Sequence, residues 1–405
     1  MRAVVLSLLV ASMMVASPPS SLHAQKDKAP KRPDLGASAD TNVALAYYTF
    51  GVSMLERNPQ RAAEAFYWAA RLDPTWALPP YARRIALFMA DPRLLVGYMN
   101  RTRRFTESKD ARSLDSLELR ALMLNPFLTR ELDNLLLRAY LRALYGVGDG
   151  ASSTRFDYFA DQYLRNDAKN RVRALAAVSE GRWTDALDLY RKAVSEEPDE
   201  AAQIHVERAR VFRRVGTDDS TRAELALALD KLRHRDEKTF IYAYQSKALL
   251  EHCIGLTYET LGQFEPAREA YGRALQEDLS YFPAHVRLGS VALAVGDTAS
   301  ALSEMDLAAQ LRGDDAWVRA TYGATLAQAG RWADAVVHLR KAVELEPFFA
   351  TPYYLLGRAE EQLGRTAEAA QDYRGYVAHA SDRDTRVADV KQRLAALGAP
   401  PGTRP

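Results

Sequence analysis

Apolar side chains recur three and four positions apart along most of this chain. In Trp332–Leu345 they fall at Val336, Val337, Leu339, Val343 and Leu345, the spacing of a helix and not the alternation of a strand. The run before it, Trp317–Ala329, is rich in good helix formers and ends at Gly330, because glycine takes the left-handed cap conformation cheaply. Pro347 stops the second run, since proline cannot continue a helix and restricts the residue before it. The pattern therefore predicts two antiparallel helices over Ala316–Phe349.

That hairpin is one of a series. Gly262, Gly296, Gly330 and Gly364 stand 34 residues apart, as do Gly255, Gly289, Gly323 and Gly357, and Ala267, Ala301, Ala335 and Ala369. A fixed period of this length marks a stacked helical array. Gly323, Ala335 and Ala342 let the two helices of a hairpin approach closely, with Leu326 and Leu339 filling the space beside them. One hairpin cannot bury both its faces, so the next must cover it.

The residues Tyr322-Gly323, Leu326, Gly330, Ala335, Leu339, Ala342 and Pro347 resemble the tetratricopeptide repeat. So do Ile254-Gly255, Tyr258, Gly262, Ala267, Tyr271 and Ala274. Leu288-Gly289, Ala301, Met305 and Ala308 follow in register, then Leu356-Gly357, Gly364, Ala369 and Tyr373. The resemblance implies an all-α fold, a right-handed superhelical solenoid of antiparallel helix hairpins. It also implies a concave wall lined by the first helix of each hairpin.

The remaining segments are expected as follows. Residues 41–145 form an irregular helical N-terminal block. Its first hairpin carries the repeat pattern at Tyr47, Phe50-Gly51, Ala62, Phe66, Ala69 and Pro74. The glycine and alanine register is then lost, although Tyr81–Phe105 and Arg112–Tyr145 keep helical spacing. Gly146, Gly148 and Gly150 lie in a linker of residues 146–153. Degenerate repeats occupy 154–247, with Ala186, Tyr190, Ala193 and Pro198 following Gly181, and Gly216 central to the next unit. Four regular repeats fill 248–381. In 382–397, Val387, Val390, Leu394 and Leu397 make one apolar stripe, which suits a helix capping the array. Residues 398–405 are a frayed tail.

The N-terminus changes the expected address. Arg2 followed by the apolar run Ala3–Val15, with Leu22-His23-Ala24 before a cut, reads as a secretory signal over residues 1–24. The run is too short to span a bilayer. Export to the periplasm or exterior of a bacterium is the expectation, after a charged, proline-bearing linker at 25–40 that is expected to be disordered. Cys253 is the one cysteine. A large helical array needs no covalent staple, so a packed thiol is expected there.

Composition narrows the function further. Hydrophobic residues make up 48% and charged residues 26%, and net charge is +2, one unit of it from Arg2. That balance argues against a nucleic acid as the main partner. Arg101, Arg103 and Arg104 near Tyr98 and Phe105, and Arg208, Arg210, Arg213 and Arg214, are expected to be solvated or paired with neighbours such as Glu207. Gly146-x-Gly148-x-x-Ala151 lacks the preceding strand that a dinucleotide site requires. His205, His234, His252, His285, His338 and His379 include no pair at i,i+4. No metal and no cofactor are expected.

A recognition surface remains. Carried over from the resembled family, the inner-wall positions are His252, Leu256 and Glu259, then Val286, Ser290 and Leu293. Next come Trp317, Ala320, Ala324 and Gln328, and last Tyr354, Arg358, Glu361 and Gln362. Small Ala320 and Ala324 leave room, Trp317 and Tyr354 either offer rigid contact area or pack between neighbouring hairpins, and Arg358 suits a carboxylate. The lysines and asparagines with which some relatives hold chaperone C-termini are missing. The expectation is a non-catalytic scaffold for a protein or peptide. Two alternatives stand beside it. One is an enzyme with its site in the irregular block, where Asp115, Glu118 and Glu131 supply carboxylates. The other is self-assembly into a homo-oligomer.

Overall fold

The computed structural model describes residues 29–36, 39–99, 109–145, 158, 160, 162–233 and 247–399. The expected signal segment, the glycine linker, the basic cluster at Arg101–Arg104, His234 and residues 235–246 lie outside the described residues. No strand occurs among the described residues. They form two compact units: Leu55–Ala63 with Pro80–Gly262, and the described parts of Pro19–Met54, Glu64–Pro79 and Gln263–Pro405.

The second unit holds the regular array. Its helices are α12 (Phe264–Glu277), α13 (Phe282–Ala294), α14 (Thr298–Leu311), α15 (Ala316–Gln328), α16 (Trp332–Leu345), α17 (Ala350–Gln362), α18 (Thr366–His379) and α19 (Arg386–Ala396). Helices α13/α14, α15/α16 and α17/α18 pair as hairpins, each second helix packs on the next first helix, and α19 closes against α18. The spacing of small residues explains the pairing. A Cβ added at Gly323 would lie 2.6 Å from Leu339 Cγ, and one at Gly357 would lie 2.4 Å from the Tyr373 ring. Ala267, Ala301, Ala335 and Ala369 are all fully buried, so any larger side chain would push the helices apart.

The first helix of each hairpin ends alike. Gly330 has φ +73°, the Arg331 amide donates to Leu326 O at 2.9 Å, and the Gly330 amide donates to Ala327 O at 3.1 Å. This arrangement satisfies carbonyls that a helix end leaves free. It recurs at Gly296 and Gly364 in this unit and at Gly181 and Gly216 in the other.

The same unit contains α1 (Ala44–Met54) and most of α2 (Pro59–Leu72). Trp68 packs edge-on against Phe348 at 5.1 Å. Asn42 donates to Ala378 O at 2.8 Å, and Asp40 accepts from the Ser381 hydroxyl and the Asp382 amide. Part of the segment expected to be disordered is instead an ordered strap. Pro30 O accepts from the Trp68 indole at 3.0 Å. The Arg32 guanidinium lies 5.2 Å from the rings of Tyr47 and Trp68. Composition alone could not reveal an aromatic surface for a charged strap to lie on.

The first unit contains most of α3 (Leu78–Ala90), then α4 (Pro92–Met99), α5 (Lys109–Leu124), α6 (Asp133–Tyr145), α7 (Asn170–Ser179), α8 (Trp183–Glu196), α9 (Ala201–Arg214), α10 (Asp218–Arg233) and α11 (Lys247–Thr260). Helices α7/α8 and α9/α10 are the degenerate hairpins, and α6 packs on α7. The expected long helical stretches are each broken in two. Pro92 opens a new helix after Asp91, and Asn125-Pro126 ends α5, as proline dictates.

Candidate functional site

Counting back from the glycine that ends each first helix fixes a common register. The residues ten, six and three before it share one face, since these steps approximate whole helical turns. In the second unit they are Val286, Ser290 and Leu293 on α13, Ala320, Ala324 and Ala327 on α15, and Tyr354, Arg358 and Glu361 on α17. Consecutive first helices touch: α13 meets α15, and α15 meets α17. The faces therefore stand side by side.

These positions differ in accessibility. Val286 and Ala320 are buried, Ser290, Leu293 and Ala324 are half-buried, and Gln328 and Gln362 are exposed. The Ser290 hydroxyl donates to Val286 O on its own helix. Trp317 sits edge-on to Phe282 of α13 with ring centres 6.3 Å apart, so its ring packs between neighbouring hairpins.

On α17 the expected residues are joined to the terminal helix. The Tyr354 ring lies 5.6 Å from Tyr376 and beneath the Arg386 guanidinium at 5.4 Å. Its hydroxyl accepts from Arg358 at 3.2 Å. Glu361 accepts from the Tyr373 hydroxyl at 2.6 Å and pairs with Arg393 at 2.9 Å. Burial and the Glu361 carboxylate push the Tyr373 phenol far up. The structure thus brings Tyr354 and Arg358 together and engages Glu361 with α19. Small Ser290 and Ala324 remain the half-open part of this face.

In the first unit, His252 is buried while Leu256 and Glu259 are half-buried. Beside His252, burial pushes the Cys253 thiol up to about 12, which keeps it protonated and unreactive. The same register applied to Gly181 and Gly216 yields Arg171, Leu175 and Val178 on α7 and Val206, Arg210 and Arg213 on α9. The basic group of the sequence thus shares the register face of these helices, which its charges alone do not indicate. Glu207 pairs with Arg171 at 2.8 Å, whereas Arg208 pairs with Glu224 at 2.8 Å and Arg213 with Asp218. Arg210 donates to the carbonyl of Pro126 at 3.1 Å.

A small cleft lies here between Thr129, Arg130 and Asp133 on one side and Arg171, Leu175 and Arg210 on the other. Its charged neighbours are paired. Glu118 lies between Arg84 at 2.7 Å and Arg130 at 2.8 Å. Those arginines, with Arg210, outweigh burial and hold its carboxyl below the usual range. Asp133 accepts from the Tyr81 hydroxyl at 2.8 Å and pairs with Arg130 at 2.9 Å. Burial raises the Asp115 carboxyl to about 6, against the pull of Arg84. Glu131 is exposed and accepts from Thr129. Among the described residues, no group of histidine, cysteine, aspartate and glutamate is placed to hold a metal ion. Nor is any helix among them long and apolar enough to cross a membrane.

No curated protein sequence matches the chain significantly. Among solved structures, the MamA protein of Desulfovibrio magneticus is similar over 47% of this chain and 95% of its own, at 16% identity and a TM-score of 0.37. YrrB, described as a TPR protein with an unusual peptide-binding site, is similar over 51% of this chain and 98% of its own, at 20% identity and a TM-score of 0.39. The C-terminal part of a TPR repeat-containing protein from Cytophaga hutchinsonii is similar over 56% of this chain and 83% of its own, at 17% identity and a TM-score of 0.43. A family profile described as Tetratricopeptide repeat matches residues 171–234, 254–316 and 323–384. Repeats of this family are protein-interaction scaffolds, in general without catalytic activity. Within those three stretches, just under half of the chain, the sequence carries the tetratricopeptide repeat pattern.

Proposed function

We propose that the chain is an exported, non-catalytic scaffold that holds a protein or peptide partner against the first-helix face of its regular repeats. One observation carries the reading. Ser290, Ala324 and Arg358 occupy the same register position on three first helices that touch in sequence, and none of the three is fully buried. A row of small side chains lets a partner backbone approach closely, and Arg358 at its end supplies charge-assisted donors. Gln328 and Gln362 add exposed amides beside the row. Export rests on the Arg2-led apolar run and small residue before the cut. YrrB, described as having a peptide-binding site, supplies an analogy for the ligand class.

The test fills the row. Crosslinking pull-down from the cell envelope should recover a partner with the wild-type chain and lose it with Ala324→Trp, at an unchanged melting temperature. Equal recovery by both proteins would place the binding surface elsewhere.

A further inference from the structure

The inner wall of the degenerate repeats already carries an occupant: the connection between α5 and α6. Asn125–Leu132 leaves α5 and runs along α9, with Thr129 and Arg130 also facing α7. Thr129, Arg130 and Asp133 face Arg171, Leu175, Val178 and Arg210 across the cleft. Arg171, Leu175 and Val178 stand ten, six and three residues before Gly181. Arg210 stands six before Gly216. These are the register positions that Tyr354, Ala324 and Glu361 hold in the regular repeats. The segment therefore lies where a peptide would lie on a repeat wall.

Its contacts are those of a bound peptide. The wall reaches a main-chain carbonyl, with Arg210 Nε donating to Pro126 O at 3.1 Å. It covers an aromatic side chain, with the Arg213 guanidinium 5.6 Å from the centre of the Phe127 ring. It meets a carboxylate, with Arg214 Nε 3.7 Å from Glu131. Pro126 and Leu128 are buried and Phe127 half-buried. Main-chain capture, an aromatic anchor and a charge at the rim form the usual division of labour in peptide recognition. The far end of the segment is tied down separately. Arg130 adopts a left-handed backbone at φ +59°, a strained conformation for a residue with a side chain. Its pairs with Glu118 and Asp133 hold it there.

We infer that Pro126–Glu131 is a ligand in cis, and that the α7–α9 wall is a second peptide site, specific for a proline–aromatic–leucine segment followed by a carboxylate. The tether keeps the segment at high local concentration, so the wall stays closed to a free peptide of the same chemistry. This site belongs to the first unit and does not depend on the reading of the regular repeats.

The test uses the full chain with Pro126–Thr129 replaced by Gly-Ser-Gly-Ser, which leaves Arg130 and its buried pairs in place. The probe is a fluorescent synthetic peptide with the sequence of Leu124–Asp133, read by anisotropy beside a scrambled control. The replaced chain should bind it saturably and at least tenfold more tightly than wild type, and Arg210→Gln in that background should remove the gain. Phe127→Ala in the otherwise intact chain should raise probe affinity several-fold with helix content unchanged. Equal binding by wild type and the replaced chain, or no binding by a folded replaced chain, overturns the proposal. Loss of helical signal on replacement also overturns it, because the segment is then part of the core and not a ligand.

Discussion

Arg71 and Glu346, 275 residues apart, share a two-pronged contact: Arg71 Nε lies 3.0 Å from each oxygen of the Glu346 carboxylate. The Arg71 guanidinium also lies over the Phe348 ring at 4.8 Å. Burial pushes the Glu346 carboxyl up, and Arg71 opposes that shift. The pair therefore replaces lost solvation as well as joining the first hairpin to the end of α16. Glu346→Ala should cost about 2 kcal/mol, since it leaves a largely desolvated guanidinium without its partner. A double-mutant cycle with Arg71→Ala, read by chemical denaturation, should return a coupling of about 1 kcal/mol. Strict additivity would mean that the aromatic contacts alone hold the hairpin in place.

Two glycines that look equivalent in the repeat should respond differently. At Gly357 the space is filled by Tyr373 at 2.4 Å, so Gly357→Ala forces the α17/α18 pair apart and should cost about 2–3 kcal/mol. At Gly330 nothing lies within 4 Å of an added Cβ, but φ is +73°. There only the backbone conformation is penalised, and Gly330→Ala should cost about 1 kcal/mol. Thermal melts of both variants check the order, and a larger loss at Gly330 would contradict it.

The regular array was legible because its signals are local and repeated. Gly330, Ala335 and Leu339 each announce a steric requirement that the structure meets with a cap, a close approach and a buried side chain. The strap at Pro30–Gly36 was not legible. Its order depends on Trp68 and Phe348, which lie far away along the chain. The candidate site was legible in register but not in occupancy. Counting from Gly364 locates Tyr354 and Glu361, yet nothing in α17 itself indicates that Arg386 and Arg393 lie against them. Arg210 was visible as one of four nearby arginines, but its bond to the Pro126 carbonyl needed the position of a segment 84 residues away.

Asp372 links the fold to pH. Its carboxylate meets the Arg340 guanidinium at 2.5 and 2.7 Å. Burial nonetheless raises it to about 6, with Arg340 pulling down and Glu360 and Glu368 pushing up. A carboxyl whose pKa is higher in the folded chain binds its proton more tightly there. Its contribution is complete below about pH 4 and is lost as pH rises through about 6. Asp372→Asn does not titrate, so its stability relative to wild type should rise between pH 4 and 7, by at most about 3 kcal/mol. Denaturation curves across that range check the sign, and a flat difference would show that the carboxyl titrates normally.

Tyr354 and Gln328 separate packing from recognition. Tyr354 touches Tyr376 and Arg386 and belongs to the cluster around Tyr373 and Leu394, so Tyr354→Ala should loosen α19 and cost about 2 kcal/mol. Gln328 is exposed at the end of α15, and Gln328→Ala should change stability by no more than about 0.5 kcal/mol. If the first-helix face binds a partner, Gln328→Ala weakens capture at constant melting temperature, whereas Tyr354→Ala lowers both together. The two readouts must therefore be taken on the same preparations. A loss of capture that always tracks the melting temperature would mean that stability is being read and not contact. Unaltered capture by folded Gln328→Ala would remove that amide from the site, leaving Ser290, Ala324 and Arg358 to carry the recognition.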